Sequence, residues 1–569
     1  MTSMTSGAHA ARGQRFDGTS LVGMLQHRVR VQSTDRAFTY LEDGERDGPT
    51  LTWLELDRQA RAIAAWLQSR VRSGDRVLLL YLPGLDFIAG FFGCLYAGAI
   101  AVPAMPPQRG RAQRGLDRVQ AIVRSAEPKV VLTSNGVVPS DPSSWLGAIP
   151  SLQSESIDVQ WAAAWTPCES AGSSLALLQY TSGSTATPRG VMVSHSNLLH
   201  NLEYGYAAGE SNHETVSVSW LPVTHDMGLI EGVLQPVFSG TPGYLMSPAA
   251  FLQRPRRWLS AISRLRATRS GGPNFAYDLA ASRVASHERA DLDLSCWKAA
   301  YNGAEPVRLD TMRAFADAFH ETGFDASAFR PCYGLAEATL LVSSDRWDGR
   351  ASDGHVSCGT PAHGTQIDVV DPATGLQTRA GELGEILVAG PGVAHGYWNE
   401  PVETSRVFVT DPRSRRRWLR TGDLGFVAAG RLHVTGRLKD LLIVRGTKHF
   451  PQDLERTAER THPDIRRGGV TAVAASSGVR GDHVVLIAET DPRSVDDVRS
   501  SQLMMAIREA IADAHGIQLH AITLVSPGSL PKTTSGKPRR YLCREAWLRS
   551  TLAPLAEWRD ASVGAAVER

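Results

Sequence analysis

Residues 179–190, QYTSGSTATPRG, place glycine among hydroxyl side chains directly after an apolar run. Backbone N–H groups and hydroxyls in such a stretch can surround phosphate oxygens, and Arg189 adds positive charge. A Walker loop would need Gly-Lys-Ser/Thr opening a helix, but here the lysine is missing and the β-rich GVMVSH follows. Taken alone, the pattern fits a Ser/Thr-rich hairpin turn equally well. The candidate phosphate-binding residues are Thr181, Ser182, Gly183, Ser184, Thr185 and Arg189.

A second candidate is LPKTTSGKPRR, residues 530–540, which contains two of the six lysines in the chain. Lysine carries a compact charge on a flexible stem, whereas arginine is a planar fork. Because almost all other basic residues are arginine, Lys532 and Lys537 are candidates for a functional charge. The alternative is an ordinary solvated loop.

Composition narrows the function classes. The chain has 569 residues, too many for a single core, and its net charge of +2 gives no general argument for nucleic acid or an anionic membrane. Its six cysteines are far apart and include no Cys-x-x-Cys pair, which favours free thiols in a reducing, cytoplasmic compartment over disulfides or a zinc cluster. Residues 1–18 have no apolar core and are predicted to be a disordered leader, not a secretory signal.

The stretch 87–105, FIAGFFGCLYAGAIAVPAM, is uncharged and about long enough to span a bilayer. Pro103 lies inside it, and Gly98 stands before a β-prone sequence. The pattern therefore predicts a buried helix that ends near Gly98, then a buried strand, and no integral membrane segment.

Helices and strands alternate along the first half of the chain. Predicted helices cover 57–70, 86–98 and 114–126, and predicted strands cover 76–82, 99–103 and 129–134. This alternation is typical of parallel sheets wrapped by helices. Short glycine-punctuated strands between 364 and 436 indicate antiparallel pairing, and a smaller α/β unit follows to about Arg544. The region 136–174 is rich in Ser, Pro and Gly and is predicted to be a surface connection.

Eight motifs, in order, resemble the adenylate-forming superfamily over about residues 20–544. They are QYTSGSTATPRG (179–190), WLPVTHDMGLIEG (220–232), PNFAYDL (273–279), NGAEP (302–306), YGLAEATL (333–340), RTGDLG (420–425), GRLKD (436–440) and PKTTSGK (531–537). YGLAEATL, HDMGLI and KHFPQDLE (448–455) look like the fatty acyl-AMP ligase branch. Eight ordered motifs are far more specific than any one of them.

The resemblance implies an α/β fold, with a large multi-subdomain adenylation domain of wrapped sheets at 19–438. It also implies a small mobile α/β domain at 439–545 and a C-terminal tail at 546–569. The implied reaction is attack of a carboxylate on the α-phosphate of ATP, giving acyl-AMP and pyrophosphate. Because two anions must approach each other, the site needs positive charge and preorganised N–H donors. ATP and Mg²⁺ are the implied cofactors.

By resemblance, Glu337 helps to hold Mg²⁺, which prefers oxygen ligands, although a glutamate at a helix start would be ordinary. Tyr333 resembles the aromatic residue that stacks on adenine, and a tyrosine packed in the core is the alternative. The other residues implied at the adenine are Gly334 and the opposite wall of Gly303, Ala304 and Glu305.

The resemblance also assigns ribose and acyl contacts. Asp423 looks like the carboxylate that accepts both ribose hydroxyls, with Arg437 as a second ribose or phosphate contact, although Asp423 could be a turn residue. In the family, the acyl pocket meets the nucleotide at HDMG. This places His225, Asp226, Met227 and Gly228 in the substrate pocket and makes His225 a catalytic candidate, although a lone histidine is more often structural.

Lys537 matches a lysine on the mobile domain that reaches the carboxylate and the α-phosphate during adenylation. A flexible point charge suits a group that must enter and leave a site. Lys439 in GRLKD falls at the implied hinge. Lys532 is expected to neutralise the loop or to contact phosphate at its edge.

The chain departs from the family at two places. The branch commonly has an inserted segment after YGLAEATL that disfavours coenzyme A, but only seventeen residues, 342–358, stand there. Glu231 follows HDMGLI where the family usually has glycine. An isolated carboxylate in an alkyl tunnel would be costly to bury, so Glu231 indicates an oxygenated or ring-bearing acid unless it points to solvent.

The predicted function is ATP-dependent activation of a fatty or lipid-like acid, followed by acyl transfer to a carrier-protein phosphopantetheine or another enzyme. A complete acyl-CoA ligase is the nearest alternative. A non-catalytic protein that binds acyl-adenylate or a carrier protein is an alternative of another class, against which Glu337, Asp423 and Lys537 argue. A P-loop kinase is disfavoured, and no nucleic-acid partner is expected.

Overall fold

The computed structural model describes residues 16–107, 112–137, 146–169, 171–181, 188–352, 354–478, 481–532 and 538–560. Within them, residues 16–421 and 426–434 form one compact unit, and residues 422–425 and 435–560 form a second. The α-helices are Leu21–Gln32, Trp53–Gln68, Asp86–Tyr96, Ala112–Ala126, His195–Ala208, Asp226–Leu229, Gln235–Ser239, Pro248–Gln253, Arg256–Leu265, Asn274–Arg283, Ser286–Arg289, Leu309–Phe319, Pro401–Val407, Pro451–Thr461, Asp497–His515 and Arg540–Leu548. Short 3₁₀ turns lie at Ser154–Ser156, Val159–Ala164, His320–Thr322, Ala326–Ala328, Ala336–Ala338, Leu438–Asp440 and Pro492–Ser494, and a π-helical turn at Ile230–Leu234.

The largest sheet of the first unit carries four of the eight candidate motifs. Its central strands run parallel, and its edges are antiparallel. The strand order is Thr360–Pro361, Leu341–Ser344, Phe329–Gly334, Ala299–Asn302, Arg269–Gly272, Ser217–Ser219, Gly243–Leu245, Arg36–Glu42 and Arg46–Thr52.

A second sheet of the first unit is built from the strands predicted in the first half of the chain. Its order is Ser151–Gln153, Val130–Thr133, Arg76–Leu80, Ile100–Ala104, Leu175–Thr181 and Arg189–Ser194. The first five pair in parallel, and the last two form an antiparallel hairpin. The predicted class of parallel sheets wrapped by helices is confirmed. The strand Ser151–Gln153 was not predicted, because it lies in the polar stretch expected to be a connection.

The helix Trp53–Gln68 shows how local chemistry sets the elements. Thr52 and Glu55 form a capping box, in which the Thr52 hydroxyl accepts from Glu55 N and the Glu55 carboxylate accepts from Thr52 N. The helix therefore begins four residues before the predicted start at 57. One face, including Trp53 and Ile63, is buried in the core.

The apolar stretch 87–105 is core, as predicted. It forms the helix Asp86–Tyr96, which is buried from Phe87 onward, and the buried strand Ile100–Ala104. In the part of the chain that the structure describes, no helix combines the length and apolarity needed to cross a membrane.

The strands between 366 and 437 form an antiparallel sheet, as the glycine-punctuated pattern predicts. They are Gln366–Val370, Gly384–Ala389, Arg417–Ala428, Phe408–Thr410 and Arg431–Arg437. The short segment 342–358 begins within the strand Leu341–Ser344 of the largest sheet, and its described residues also include a small hairpin, Ala351–Ser352 with His355–Val356.

The second unit has its own sheet and core. Its strands are Thr447–His449, Leu442–Val444, Gly481–Thr490, Ala521–Val525 and Pro554–Arg559, with Ile465–Gly478 paired to Gly481–Thr490. Leu454, Ile507 and Leu524 lie in the buried cluster beneath it. The last helix runs to Leu548 and an edge strand follows, so this unit extends beyond residue 545, where the sequence predicts a tail to begin.

Candidate active site

Four of the motifs lie at the carboxyl ends of neighbouring parallel strands in the largest sheet. WLPVTHDM follows Ser217–Ser219 and PNFAYDL follows Arg269–Gly272. NGAEP begins at the end of Ala299–Asn302, and YGLAEA at the end of Phe329–Gly334. Ligands of parallel α/β sheets bind outside the carboxyl ends of the strands. The fold therefore brings together motifs that are more than a hundred residues apart in sequence.

The ends of two of these strands approach each other closely. A Cβ atom on Gly303 would lie 2.5 Å from Cys332 Sγ and 2.9 Å from the Cys332 carbonyl oxygen, so only glycine fits there. Ala304 follows with a left-handed φ of 66°, which turns the chain away from the sheet. Tyr333 stands beside this contact and is only 7% exposed.

Glu337 is held by a residue that the motifs do not include. The Tyr397 hydroxyl donates a hydrogen bond to Glu337 Oε1 over 2.8 Å. The Arg189 guanidinium lies 5.6 Å from the centre of the Tyr397 ring and pairs with Glu403 over 2.5 Å. Burial raises the pKa of Tyr397, so its hydroxyl remains a donor. The predicted metal ligand and the predicted phosphate-loop arginine thus belong to one polar network.

Thr181 and Arg189 are register partners at the end of the hairpin between Leu175–Thr181 and Arg189–Ser194. Ser182, Gly183, Ser184 and Thr185 lie outside the described residues, as does Lys537. The hairpin is compatible with both sequence interpretations of this segment, a phosphate loop and a Ser/Thr-rich turn.

His225 precedes the short helix Asp226–Leu229, and its Nδ1 lies 2.6 Å from Asp226 Oδ1. Asp226 Oδ1 also accepts a hydrogen bond from Met227 N over 2.7 Å. A Cβ atom on Gly228 would lie 2.0 Å from the carbonyl oxygen of Pro222. Only a residue without a side chain therefore lets this helix pack so closely against the preceding turn.

The sequence suggested that the Glu231 carboxylate would be either isolated in the acyl tunnel or directed to solvent, and the structure shows neither. It forms an ion pair with Arg269, and the two side chains are 11% and 3% exposed. Arg269 also donates to the Gly205 carbonyl over 3.0 Å and to Ser211 Oγ over 2.8 Å. The carboxylate lowers the cost of burying Arg269 and raises the pKa of its guanidinium, although burial acts in the opposite direction.

In the second unit, two predicted ribose contacts are paired with each other. Arg437 Nε lies 3.1 Å from Asp423 Oδ1, and the Asp423 side chain is nearly buried. The pKa of Lys439 is lowered to about 8, first by desolvation and then by Arg437, although the residue as a whole is exposed. Lys532 pairs with the buried Glu489 over 3.1 Å. This ion pair is compatible with the expectation that Lys532 neutralises the loop, and the alternative contact with phosphate stays a prediction.

No sequence motif pointed to Tyr397, Glu403 or Arg269. Tyr397 lies 60 positions from Glu337, and Glu403 lies 214 positions from Arg189. A charged residue in a strand or helix that is otherwise apolar indicates a buried partner, and Glu231 was one such residue. The partner itself, Arg269 in the strand Arg269–Gly272, needed the sheet topology.

Most of the chain matches described protein families. Residues 25–398 match the family described as AMP-binding enzyme. Residues 439–557 match the family described as Disco-interacting protein 2-like, AMP domain.

Individual proteins are similar over almost their whole length. The medium-chain-fatty-acid–[acyl-carrier-protein] ligase JamA of Moorena producens is 40% identical, over 94% of this chain and 96% of that protein. The long-chain-fatty-acid–AMP ligase FadD23 of Mycobacterium tuberculosis is 37% identical, over 92% and 96%. A crystal structure of the fatty acyl-adenylate ligase of Legionella pneumophila, in complex with acyl adenylate and pyrophosphate, shares 39% identity. The two structures align with a TM-score of 0.73, and the match covers 95% of this chain and 98% of the Legionella chain.

Proposed function

This chain belongs to the AMP-binding enzyme family and, within it, to the fatty acyl-AMP ligases, and from this premise we propose the residues that carry its reaction. The enzyme activates a carboxylic acid with ATP, forming acyl-AMP and pyrophosphate. One carboxylate oxygen bonds to the α-phosphorus as the bond to the pyrophosphate oxygen breaks. The observation that supports the assignment best is the meeting of four motifs at the carboxyl ends of adjacent parallel strands.

We assign the nucleotide contacts to residues of several motifs. Tyr333 and Gly334, opposite Gly303, Ala304 and Glu305, would contact adenine. Asp423, which already pairs with the cation Arg437, has the chemistry to accept ribose hydroxyls. Thr181, Ser182, Gly183, Ser184 and Thr185 would hold the departing phosphates, with Arg189 and Lys537 supplying positive charge.

The residues present fit Mg²⁺. Proteins bind this ion through one or two carboxylates together with substrate phosphates, and Glu337 is a carboxylate whose Oε1 is fixed by the Tyr397 hydroxyl. We therefore assign Glu337 to Mg²⁺. When bound there, the ion would offset the charge of the leaving pyrophosphate.

The acyl pocket is assigned to the helix that begins at Asp226, with His225 and Asp226 at the nucleotide end and Met227, Gly228 and Glu231 deeper. For the acceptor, we propose a carrier-protein phosphopantetheine thiol. The similarity to the acyl-carrier-protein ligase of Moorena producens favours this thiol over free CoA.

Two assays test these proposals. Pyrophosphate release, measured with a panel of carboxylic acids, should be acid-dependent and should fall by orders of magnitude in Glu337→Gln. Thioester products should then be sought by mass spectrometry with holo carrier protein and with CoA in parallel. A thioester on the carrier protein supports the acceptor, whereas acyl-CoA formed at a comparable rate identifies a complete acyl-CoA ligase.

A further inference from the structure

A small pocket beside the HDMGLI helix has an unusual lining. Leu221 and Met227 line it with apolar surface, but Glu231, Arg269 and Tyr301 line it with polar groups. The Arg269 guanidinium lies 4.6 Å from the centre of the Tyr301 ring. The centre of a water-sized group can move within about 20 Å³ of this pocket, so the pocket has room for one group of that size.

Several buried polar atoms around this pocket lack a partner. Within the described part of the chain, no hydrogen bond reaches Tyr301 Oη, Ser217 Oγ or Arg269 Nε. These residues are 3%, 5% and 3% exposed. A buried polar group left unpaired is destabilising, so a ligand atom that pairs with these groups would bind with a clear advantage over an alkyl group.

The backbone is also shaped around this cluster. A Cβ atom on Gly209 would lie 2.5 Å from Tyr301 Oη and 2.2 Å from Arg269 Nη1, so only glycine leaves room for both groups. Glu231 itself lies in the π-helical turn Ile230–Leu234, a local widening that is frequent at functional sites.

The charge of the cluster restricts the ligand. The ion pair of Glu231 with Arg269 is balanced, so a ligand carboxylate or ammonium group placed there would have no counter-charge. A neutral oxygen can instead accept from Arg269 Nε and exchange hydrogen bonds with the hydroxyls of Tyr301 and Ser217.

We propose that the acid activated by this enzyme carries a neutral oxygen substituent, a hydroxyl or a keto group, that binds between Tyr301, Ser217 and Arg269. This rests on the proposed function, in which the helix beginning at Asp226 borders the acyl pocket. Glu231 and Arg269 line the small pocket together with Met227, which belongs to that helix. An unsubstituted alkyl chain of the same length would leave the polar atoms unpaired, which a site built for hydrogen bonding penalises strongly.

The test compares unsubstituted straight-chain acids with their terminally hydroxylated analogues, from short to long chains, by kcat/KM for pyrophosphate release. At the best chain length the hydroxy acid should be preferred by about tenfold or more. Tyr301→Phe removes one hydroxyl and should reduce that preference several-fold. Tyr96→Phe is the matched control, because Tyr96 is also buried and loses a hydroxyl that bonds Asp57 in a different part of the unit; its preference ratio should equal that of the wild type.

A preference for unsubstituted long acids, or a ratio that Tyr301→Phe leaves unchanged, would overturn the inference while the function stands. Calorimetric binding of non-hydrolysable acyl-sulfamoyl adenosine analogues separates the two claims. If no acid releases pyrophosphate but the hydroxylated analogue binds more tightly, the proposed function fails, and only the binding site for a neutral oxygen is supported. If the analogues bind with the opposite preference, the inference fails whatever the turnover.

Discussion

Lys532 Nζ lies 3.1 Å from Oε2 of Glu489, a glutamate whose surface is fully buried. Oε1 of the same carboxylate accepts from Gly528 N over 2.9 Å and from Leu530 N over 3.2 Å. The glutamate thus holds the chain that leads into PKTTSGK from two sides. Arg466 Nη1 also pairs with Oε2 over 3.3 Å, so the loop supplies one of the two cations and both backbone donors of this buried carboxylate.

Glu489→Gln tests this anchor. The amide keeps an acceptor for the two backbone N–H groups but loses the charge that pairs with Lys532, so we expect a loss of about 3 kcal/mol in the free energy of unfolding of the second unit. Urea unfolding followed by tryptophan fluorescence measures it. Glu509→Gln, at an exposed position on the helix Asp497–His515, is the control. Equal midpoints for the two variants would remove Glu489 from this role.

Tyr397→Phe tests how Glu337 is positioned. Removing the hydroxyl deletes one hydrogen bond to a carboxylate, and we expect kcat/KM for adenylation to fall about tenfold. Because Tyr397 acts through Glu337, the Mg²⁺ concentration needed for half-maximal rate should also rise. A fall in rate with an unchanged Mg²⁺ dependence would mean that Tyr397 has only a packing role. Tyr541→Phe, at an exposed position, controls for the substitution itself.

Glu231→Gly tests the ion pair. Alone it leaves the Arg269 guanidinium buried without a counter-charge, so we expect a loss of about 4 kcal/mol in the free energy of unfolding. The double variant Glu231→Gly with Arg269→Met removes both charges and should recover most of that loss. Denaturant unfolding of the two variants and the wild type makes the comparison. A double variant no more stable than Glu231→Gly would show that the two side chains are not energetically coupled.

His195 gives the first unit a defined pH dependence. Burial lowers its pKa from 6.5 to about 4, and its Nδ1 accepts from Leu21 N over 3.2 Å. The unfolded chain therefore binds a proton between these values that the folded chain does not. The contribution of neutral His195 to the free energy of unfolding is therefore fully present above pH 6.5. It falls by about 3 kcal/mol as the pH falls towards 4.

The measurement for His195 is the stability difference between neutral and acidic buffer. His195→Asn keeps an acceptor for Leu21 N but does not titrate, so its stability should fall less on acidification than that of the wild type. His213→Gln, where the histidine is exposed, should behave like the wild type. The same acid sensitivity in His195→Asn as in the wild type would assign the effect to other groups.

The sequence predicts the fold class because strand–helix alternation and glycine punctuation are local patterns, and these were confirmed. The helix Asp86–Tyr96 followed by Ile100–Ala104 is one example. Element starts set by side-chain caps, such as Thr52 with Glu55, shifted the predicted bounds. The edge strand Pro554–Arg559 was not predicted, because its pairing with Ala521–Val525 is not visible in the local sequence.

Site residues divide in the same way. The sequence motifs identified Glu337, Asp423 and Glu231, since each stands in a short recognisable stretch. Their partners Tyr397 and Arg269 depend on which segments become neighbours in the fold, and spacing along the chain does not show this.

The central claim, that a carboxylate attacks the α-phosphate of ATP, can be tested by isotope transfer. An acid labelled with ¹⁸O in its carboxylate is incubated with the enzyme, ATP, Mg²⁺ and an acceptor. The masses of the nucleotide and phosphate products are then measured by mass spectrometry. Acyl-AMP formation followed by acyl transfer must leave one labelled oxygen in AMP, with unlabelled pyrophosphate as the other product. ADP together with labelled inorganic phosphate would show attack on the γ-phosphate, and would contradict the account.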